Sequence, residues 1–266
     1  MKQEQLKQEV HAYWNRASCG TEHTAQEKYT RAYFDEIEEF RYRIEPEIFS
    51  FAQFTRFRDK KILEVGVGAG TDFTQWVRAG ARAYGVDLTQ EAITNITQRL
   101  AVYGLQAEDL RVADAERLPY PDNFFDLTYS WGVIHHSPDT IKCLDEIIRV
   151  TKPGGTIKVM IYNRHSLFAF YRWMLAALAK GKPWRSLSDV LFHDQESLGT
   201  KAYTFTEVRK IISSRPVMIT QLQAPATSHD LLYYKSAFFR ACAYVAATLF
   251  GWRRCGWFMM IELRKN

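Results

Sequence analysis

The sequence predicts an α/β fold in which a seven-stranded, mostly parallel sheet carries helices on both faces, with a helical N-terminal cap and lid insertions. Short apolar runs alternate with helical patterns through residues 60–162, as expected for parallel strands joined by helices. A glycine-rich turn follows the first apolar run, and the second run ends on Asp87. The 266 residues, 47% of them hydrophobic, can bury one sizeable core, so we expect a single domain over 1–266.

The domain is expected to have three parts: a helical cap at 1–58, a core at 59–163, and a region at 164–266 that holds lid elements and the last two strands. In the cap, residues 2–16 and 27–56 have helical periodicity, and aromatic side chains recur at spacings of three and four along the second segment. Such a stripe either packs in the core or closes over a ligand.

Apolar runs bounded by turn residues predict the strands, and amphipathic periods between them predict the helices. The predicted helices of the core lie at 71–79, 89–103 and 139–151. The predicted strands are 61–66, 82–87, 109–113, 125–131, 156–162, 216–222 and 257–263.

Two apolar and aromatic stretches, 166–203 and 229–252, interrupt the alternation late in the chain. Both follow strand ends, where a lid over a substrate would sit. Lys235 and Arg240 break the second stretch, so it is too short to predict a membrane span. Directly after the first stretch, the Thr204-x-x-Glu207 pattern predicts a capping box at the start of a short helix that precedes the strand at 216–222.

The net charge of +5 is unevenly distributed, since residues 164–266 contain 15 Lys or Arg and only 6 Asp or Glu. This excess suits an anionic substrate, a lipid surface or a plain solvated face. The basic residues are scattered and form no known nucleic-acid-binding motif, so we expect no nucleic-acid partner.

Cysteine spacing and the N-terminal sequence indicate the cellular compartment of the protein. The four cysteines show neither a Cys-x-x-Cys motif nor a Cys/His metal spacing, so we expect reduced thiols and no metal site. No apolar stretch follows a basic start, which predicts no signal peptide and a cytoplasmic protein. Cys19 lies in a polar segment, and we interpret it as a turn thiol rather than a reactive one.

The glycine turn, Glu64-x-Gly66-x-Gly68-x-Gly70, indicates a nucleotide-type cofactor, because glycine lets the backbone approach a ligand closely. A dinucleotide fingerprint, Gly-x-Gly-x-x-Gly, needs a third glycine. That position is Thr71 when the motif is counted from Gly66 and Phe73 when it is counted from Gly68. No Gly-Lys-Ser/Thr sequence of a phosphate-binding loop is present. These departures argue against a nicotinamide-dependent oxidoreductase.

Five segments in order resemble the motifs of the class I S-adenosylmethionine-dependent methyltransferases, and in particular the branch that includes quinone-biosynthesis enzymes. The resemblance implies a Rossmann-like sheet and S-adenosyl-L-methionine as the cofactor of the core at 59–163. The segments are the Glu64–Gly70 turn, Gly85-Val-Asp87-Leu88, Asp114-Ala115-Glu116, residues 124–136 with Trp131 and the His135-His136 pair, and 146–155 with Lys152-Pro-Gly-Gly.

The resemblance also implies roles for individual residues. Asp87 should hold the ribose hydroxyls and Leu88 should lie against adenine. Asp114 should accept from the adenine amine, and the backbone N–H of Ala115 should donate to a ring nitrogen. The roles of two acids and of Arg41 stay open. Glu64 either contacts the cofactor or anchors a helix or loop, and Asp72 either contacts it or caps a helix. Arg41 either pairs with the carboxylate of the cofactor or packs in the core. The expected cofactor-binding residues are Glu64, Gly66, Gly68, Gly70, Asp72, Asp87, Leu88, Asp114, Ala115, Glu116, Trp131 and Arg41.

Methyl transfer to a protonated nucleophile needs a base near the acceptor. His135 and His136 are the first candidates, since an imidazole titrates near neutral pH, and Tyr162 and Arg164 follow the next strand. Either histidine could instead pack under the cofactor or hold a turn.

We therefore expect methyl transfer to an oxygen, nitrogen or sulfur atom of a small, partly apolar or aromatic metabolite. One alternative is a methyltransferase that acts on a lipid or quinone at a membrane surface, with the two apolar stretches as interfacial helices. Another is a protein that binds the cofactor without catalysis. The oligomeric state stays open.

Overall fold

The computed structural model describes residues 3–16, 21–233 and 237–266, so the predictions for Cys19 and for the break at Lys235 lie outside the described residues. The helices are α1 (Gln3–Arg16), α2 (Arg31–Ile44), α3 (Glu47–Ala52), α4 (Thr71–Arg78), α5 (Gln90–Tyr103), α6 (Thr140–Val150), α7 (Leu167–Ala176), α8 (Leu187–Asp194), α9 (Phe205–Ser213) and α10 (Ala237–Phe250). Short 3-10 helices lie at Thr21–His23, Phe54–Phe57 and Leu178–Lys180.

Most of the sheet is parallel, as predicted. The strands are β1 (Lys61–Val65), β2 (Arg82–Asp87), β3 (Asp109–Val112), β4 (Phe125–Trp131), β5 (Thr151–Asn163), β6 (Ala202–Tyr203), β7 (Val217–Gln223) and β8 (Phe258–Lys265). Their order is β3-β2-β1-β4-β5-β8-β7, with β8 antiparallel to both of its neighbours. Because the strand order reverses between β1 and β4, the carboxyl ends of these strands border a crevice in which α/β folds bind ligands.

Helices cover both faces of the sheet. Trp76 of α4 and Ile96 of α5 belong to the buried cluster on one face, together with the residues of α3. Cys143 of α6 and Val208 of α9 belong to the cluster on the other face. Both faces are therefore dry, which explains why the strand sequences are apolar runs rather than alternating patterns.

Three details of the prediction were wrong. Among the described residues the sheet has eight strands instead of seven, because the two-residue β6 pairs with β5 and is too short to leave a pattern. The helix predicted at 27–56 is broken at Pro46, which lacks the N–H that a continuous helix needs. The fifth strand, predicted at 156–162, begins earlier, at Thr151, and in this added part the pairing with β4 shifts register and Gly154 has a φ of +69°.

The predicted capping box is confirmed. The Thr204 hydroxyl accepts from the backbone N–H of Glu207, and the Glu207 carboxylate accepts from the N–H of Thr204. These bonds satisfy two backbone donors at the start of α9. No helix in the described ranges is both long and apolar enough to cross a membrane.

Candidate active site

A cavity of about 280 Å³ lies at the carboxyl ends of β1, β2 and β4. It brings together predicted site residues from Arg41 to Tyr162, as the reversal of strand order predicts. The predicted site residues that line it are Arg41, Glu64, Gly66, Gly68, Asp72, Asp87, Leu88, Asp114, Ala115, Trp131, His136 and Tyr162.

The glycine turn between β1 and α4 forms one wall of the cavity, and its glycines have different structural roles. Gly66 has a φ of +85°, and a Cβ there would lie 2.2 Å from a methyl carbon of Val133. Gly68 has a φ of +51°, yet no described atom lies within 4 Å of the position where its Cβ would be. Gly66 is therefore required by packing, whereas Gly68 presents bare backbone to open space that a ligand can fill.

Asp87, the last residue of β2, ties the glycine turn to the start of α5. Its carboxylate accepts from the N–H of Gly68 at 3.1 Å and from the N–H and hydroxyl of Thr89, both at 2.9 Å. Burial raises the pKa of Asp87 above its ordinary value, although these hydrogen bonds oppose the rise. Three of its roughly four acceptor positions are used, which leaves room for one further donor such as a ribose hydroxyl.

Two buried carboxylates, Glu64 and Asp72, lie behind the turn. Glu64 accepts from the indole N–H of Trp76 at 2.9 Å, and burial followed by the charge of Asp72 raises its pKa well above the usual range. Asp72 accepts from the hydroxyls of Tyr42 and Tyr129, at 3.1 and 2.9 Å. It does not cap α4: the residue before that helix is Gly70, and no side chain caps it.

Arg41 of α2 is the cation of this group. Its guanidinium lies 3.4 Å from Asp72 and 3.5 Å from Glu45, whose carboxylate also accepts from the indole N–H of Trp131 at 2.8 Å. Two carboxylates, Asp72 and Glu45, thus lie beside a single guanidinium at this end of the cavity. The local excess of negative charge favours a bound cation.

Helix α1 covers the opposite end. The Lys7 ammonium lies 2.6 Å from Asp114 and 2.7 Å from Glu116. Burial alone would lower the pKa of Lys7, but the hydrogen bonds to these two carboxylates raise it. Asp114, which the family resemblance assigns to adenine, is therefore already bonded to a residue of the N-terminal cap.

Four predicted site residues do not line the cavity in the described part of the chain. A Cβ on Gly70 would lie 2.3 Å from Ile96, so this glycine serves the packing of α4 on α5. Glu116 is buried and accepts from Lys7, Ser137 and the N–H of Asp139, and so holds the loop after β4. Arg164 pairs with Glu207 at 2.6 Å, beside the capping box.

His135 is the fourth. Its ring is fully buried and lies tilted against the ring of Tyr162, with the ring centroids 3.9 Å apart. Neither of its nitrogens has a hydrogen-bond partner among the described residues. Burial lowers its pKa well below the ordinary value for histidine, so the ring is neutral. It packs under the site and does not reach a bound molecule.

His136 does line the cavity, and its partners come from the segment between α8 and β6. Its Nδ1 lies 3.0 Å from the Ser197 hydroxyl and 3.1 Å from that of Thr200, and its Nε2 lies 3.2 Å from Glu196. The ring of Trp14, from α1, meets the imidazole edge to face at 5.2 Å. Hydroxyl groups thus hold the Nδ1 side of the ring, and the Nε2 side lies near the Glu196 carboxylate without a hydrogen bond among the described residues.

Glu196 sits between His136 and Tyr162, whose hydroxyl donates to both carboxylate oxygens at 2.9 and 3.0 Å. Burial would raise the pKa of Glu196, but its contacts with His136 and Tyr162 lower it below the ordinary value. Its φ of +53° places the backbone in the left-handed region, which is uncommon for a residue other than glycine. A constrained, ionised carboxylate thus faces the cavity.

Aromatic rings enclose the same end of the cavity as Glu196. The Tyr162 and Trp257 rings stack 4.0 Å apart, and Phe168 and Phe258 lie beside them on the cavity wall. Trp131 packs against Phe258 at 5.7 Å. A molecule seated there would meet mostly apolar surface around one carboxylate.

The sequence analysis missed several cavity residues. They come from segments without a motif, so the sequence gives little signal for them. These segments are α1, the turn after α2, α7, the loop before β6, the connection between β7 and β8, and β8 itself. They are Lys7, Trp14, Glu45, Glu196, Phe168, His229, Trp257 and Phe258.

The residues of the cavity fit S-adenosylmethionine. The bare backbone at Gly68 beside Asp87 can lie against a ribose. Arg41 with the carboxylates of Asp72 and Glu45 suits a group that carries both positive centres and a carboxylate. No group of three or more metal-ligating side chains occurs within the described residues.

Known proteins show the same domain. Residues 63–159 match the family described as a methyltransferase domain. An uncharacterised protein of Mycobacterium tuberculosis is 32% identical over 123 residues, which are 46% of this chain and 43% of that protein. Demethylmenaquinone methyltransferase of Geobacillus stearothermophilus is 33% identical over 118 residues, 42% of this chain and 50% of that protein. The chain thus spans about half the length of the curated relatives it matches.

A solved structure shares the fold over nearly its whole length. The S-adenosylmethionine-dependent methyltransferase of Mesorhizobium loti superposes with a TM-score of 0.57 at 16% identity, covering 82% of this chain and 97% of the other. Residues 63–159 therefore form a methyltransferase domain, and the chain shares the fold of the S-adenosylmethionine-dependent methyltransferases, as its ordered motifs predict.

Proposed function

We propose that this protein transfers the methyl group of S-adenosylmethionine to an oxygen, nitrogen or sulfur atom of a small, partly apolar or aromatic molecule. The observation that carries the proposal is the composition of one continuous cavity. Its first end holds Gly68 and Asp87, and its second end holds Glu196 within aromatic walls. The first end suits the cofactor and the second suits the acceptor.

The cofactor, when bound, supplies a methyl group on an already activated sulfonium. The work left to the protein is to align the acceptor, exclude water and take up a proton. The stacked rings of Tyr162 and Trp257 exclude water from the acceptor end. The carboxylate of Glu196 takes the proton that the acceptor releases, and His136 Nε2, 3.2 Å away, can share it.

We propose Glu196 as the base because its ionised carboxylate faces the cavity beside the aromatic walls. His136 lies beside this carboxylate, with its Nδ1 3.0 Å from the Ser197 hydroxyl and its Nε2 3.2 Å from Glu196. We therefore propose that His136 and Tyr162 position Glu196. A thiol, or a hydroxyl with a low pKa, would transfer its proton most readily to such a base.

The test is methyl transfer by the Glu196→Gln variant. A screen against metabolite pools, read by mass spectrometry, first identifies the molecule that gains one methyl group with the wild-type protein. With that acceptor, Glu196→Gln should lower kcat by roughly 10²-fold or more, since general bases contribute on that order. The dissociation constant of S-adenosylmethionine should not change.

The matched control is Glu39→Gln, which makes the same change at an exposed position of α2. It should leave kcat unaltered. If Glu196→Gln turned over like the wild type, Glu196 would not be the base. If the wild type bound the cofactor and methylated nothing, the alternative of a non-catalytic binding protein would replace the proposal.

We also propose a cytoplasmic location. The cysteines in the described ranges, Cys143, Cys242 and Cys255, are free thiols, as is usual in a reducing compartment.

A further inference from the structure

Helix α10 exposes an apolar surface. Of its fourteen residues, all described, Ala243 and Ala247 are the buried ones. Phe238 is 71% exposed, Val245 61% and Leu249 77%. Large apolar side chains side by side at such exposure indicate a surface that is covered by a partner.

Helix α7 extends this surface. It packs beside α10, and its buried residues are Ala169 and Ala176, so small side chains again make the internal contact. Phe170 and, just after the helix, Leu178 are each 51% exposed. We call these residues together the docking surface: Phe170, Leu178, Phe238, Val245, Leu249 and Phe250.

Exposed cations flank the docking surface. Lys180 and Lys182 follow α7, and Arg253 and Arg254 follow α10. Tyr244 and Trp252 contact each other at 5.3 Å, so the turn that carries the two arginines folds back against α10. None of the four cations forms an ion pair within residues 3–16, 21–233 and 237–266.

The acids of the same region do not offset these charges, because each is engaged elsewhere. Asp189 and Asp194 pair with Arg185. The other four lie in the site, in ion pairs of the sheet and capping box, or buried: Glu196, Glu207, Glu262 and Asp230. The docking surface is therefore apolar with a cationic edge. Two copies of this chain would bring those like charges together, which disfavours self-association.

We propose that the docking surface lies on an anionic lipid bilayer, with α10 in the interface and Lys180, Lys182, Arg253 and Arg254 against the headgroups. Interfacial helices combine an apolar face with basic residues in this way, and they do not span the bilayer. Phe168 of α7 lines the acceptor end of the cavity, two residues before the exposed Phe170. If the proposed function holds, docking would bring that end close to a membrane-borne acceptor.

Sedimentation with lipid vesicles tests the apolar part of the proposal. The full chain should bind vesicles that contain phosphatidylglycerol and bind pure phosphatidylcholine vesicles much less. The double variant Phe238→Glu/Leu249→Glu should lower the partition coefficient by on the order of tenfold or more. The control is Met218→Glu, on β7, which puts the same charge on a residue that is already 59% exposed. It should bind like the wild type.

A charge reversal tests the cationic edge. Arg253→Glu/Arg254→Glu should lower the partition coefficient on anionic vesicles by roughly tenfold or more, and the difference should shrink at high salt. The control is Arg209→Glu, an exposed arginine of α9 on the other face of the sheet. Circular dichroism and the dissociation constant of S-adenosylmethionine should match the wild type in every variant, which separates docking from folding and from the proposed function.

Two results would overturn the proposal. One is a failure of the vesicle assay: the wild-type protein stays in the supernatant with anionic vesicles at low salt, or the variants with both sets of substitutions sediment to the same extent as the wild type. The other is a dimer of the wild type that the Phe238→Glu/Leu249→Glu variant abolishes, which would assign the surface to a second copy of the chain.

Discussion

His135 and His136 are adjacent in sequence but have opposite surroundings. The imidazole of His136 lies between Glu196 and two hydroxyls, whereas the ring of His135 is enclosed without a polar partner among the described residues. Sequence reasoning treats the two as equivalent candidates. Both rings contact Tyr162, and what separates them is the polar partners that His136 meets in the segment between α8 and β6.

This difference predicts a pH effect on stability. The pKa of His135 is lowered in the folded protein, so the unfolded chain binds a proton more readily, and stability rises with pH. The stabilisation is complete above about pH 6.5, the unfolded pKa, and is lost as the pH falls from there toward the lower folded value. Phenylalanine cannot titrate and has a similar shape.

His135→Phe should therefore flatten the decline of the melting temperature between about pH 6.5 and pH 5. Differential scanning fluorimetry across that range measures it. The control is His11→Phe, at an exposed position of α1, which should keep the wild-type slope. If His135→Phe declined as steeply as the wild type, the buried neutral histidine would not be the cause.

Some site residues could be predicted at this scale and others could not. Gly66, Gly68 and Asp87 carry a local backbone requirement, a turn at a strand end, that the sequence displays directly. Glu196 has no local signature, since its role comes from meeting His136 and Tyr162 across the fold. Gly70 and Glu116 match the family pattern in sequence but serve packing and loop contacts here.

At the scale of elements, α1 is the part of the cap that touches the site most. Lys7 bonds to Asp114 and Glu116, Trp14 packs on His136, and Leu6 lies against Gly199 of the segment that holds Glu196. The helix thus contacts the cavity both beside Asp114 and beside His136 and Glu196. Its contact with the core depends on few buried residues, Leu6 and Val10.

Lys7→Met should loosen α1. The ammonium is partly exposed, so its loss should cost no more than about 1 kcal/mol, which corresponds to a few-fold faster hydrogen exchange in α1. Hydrogen-exchange mass spectrometry of peptides from α1 measures this, and Lys28→Met, which removes an exposed pair with Glu91, is the control. Unchanged exchange in α1 of the Lys7→Met variant would show that the ion pairs do not hold the helix.

The elements themselves were predictable to different degrees. Thr204 and Glu207 set the start of α9 through bonds between neighbours in sequence, so the motif was sufficient. Pro46 ends the long cap helix for an equally local reason that the aromatic periodicity concealed. The two-residue β6 forms because Ala202 and Tyr203 meet β5, and no run of two residues predicts a strand.

At the scale of the whole molecule, the parallel sheet follows from the alternation of strands and helices, and the crevice follows from the sheet. The position of β8 between β5 and β7 is a matter of tertiary pairing, which the sequence pattern does not contain. For the two lid stretches, 166–203 and 229–252, the sequence predicted the location but no site residue. Their contribution to the site, through Glu196, Phe168 and His229, needed the fold.

The central claim is that this cavity binds S-adenosylmethionine at the glycine turn. Isothermal titration calorimetry of the purified chain tests it most directly. We predict saturable binding at one site, and a loss of roughly tenfold or more in affinity for Asp87→Asn, as expected when a charged hydrogen-bond acceptor is neutralised. The control Asp35→Asn, in an exposed part of α2, should bind like the wild type. Absence of saturable heat with the wild-type protein would contradict the account.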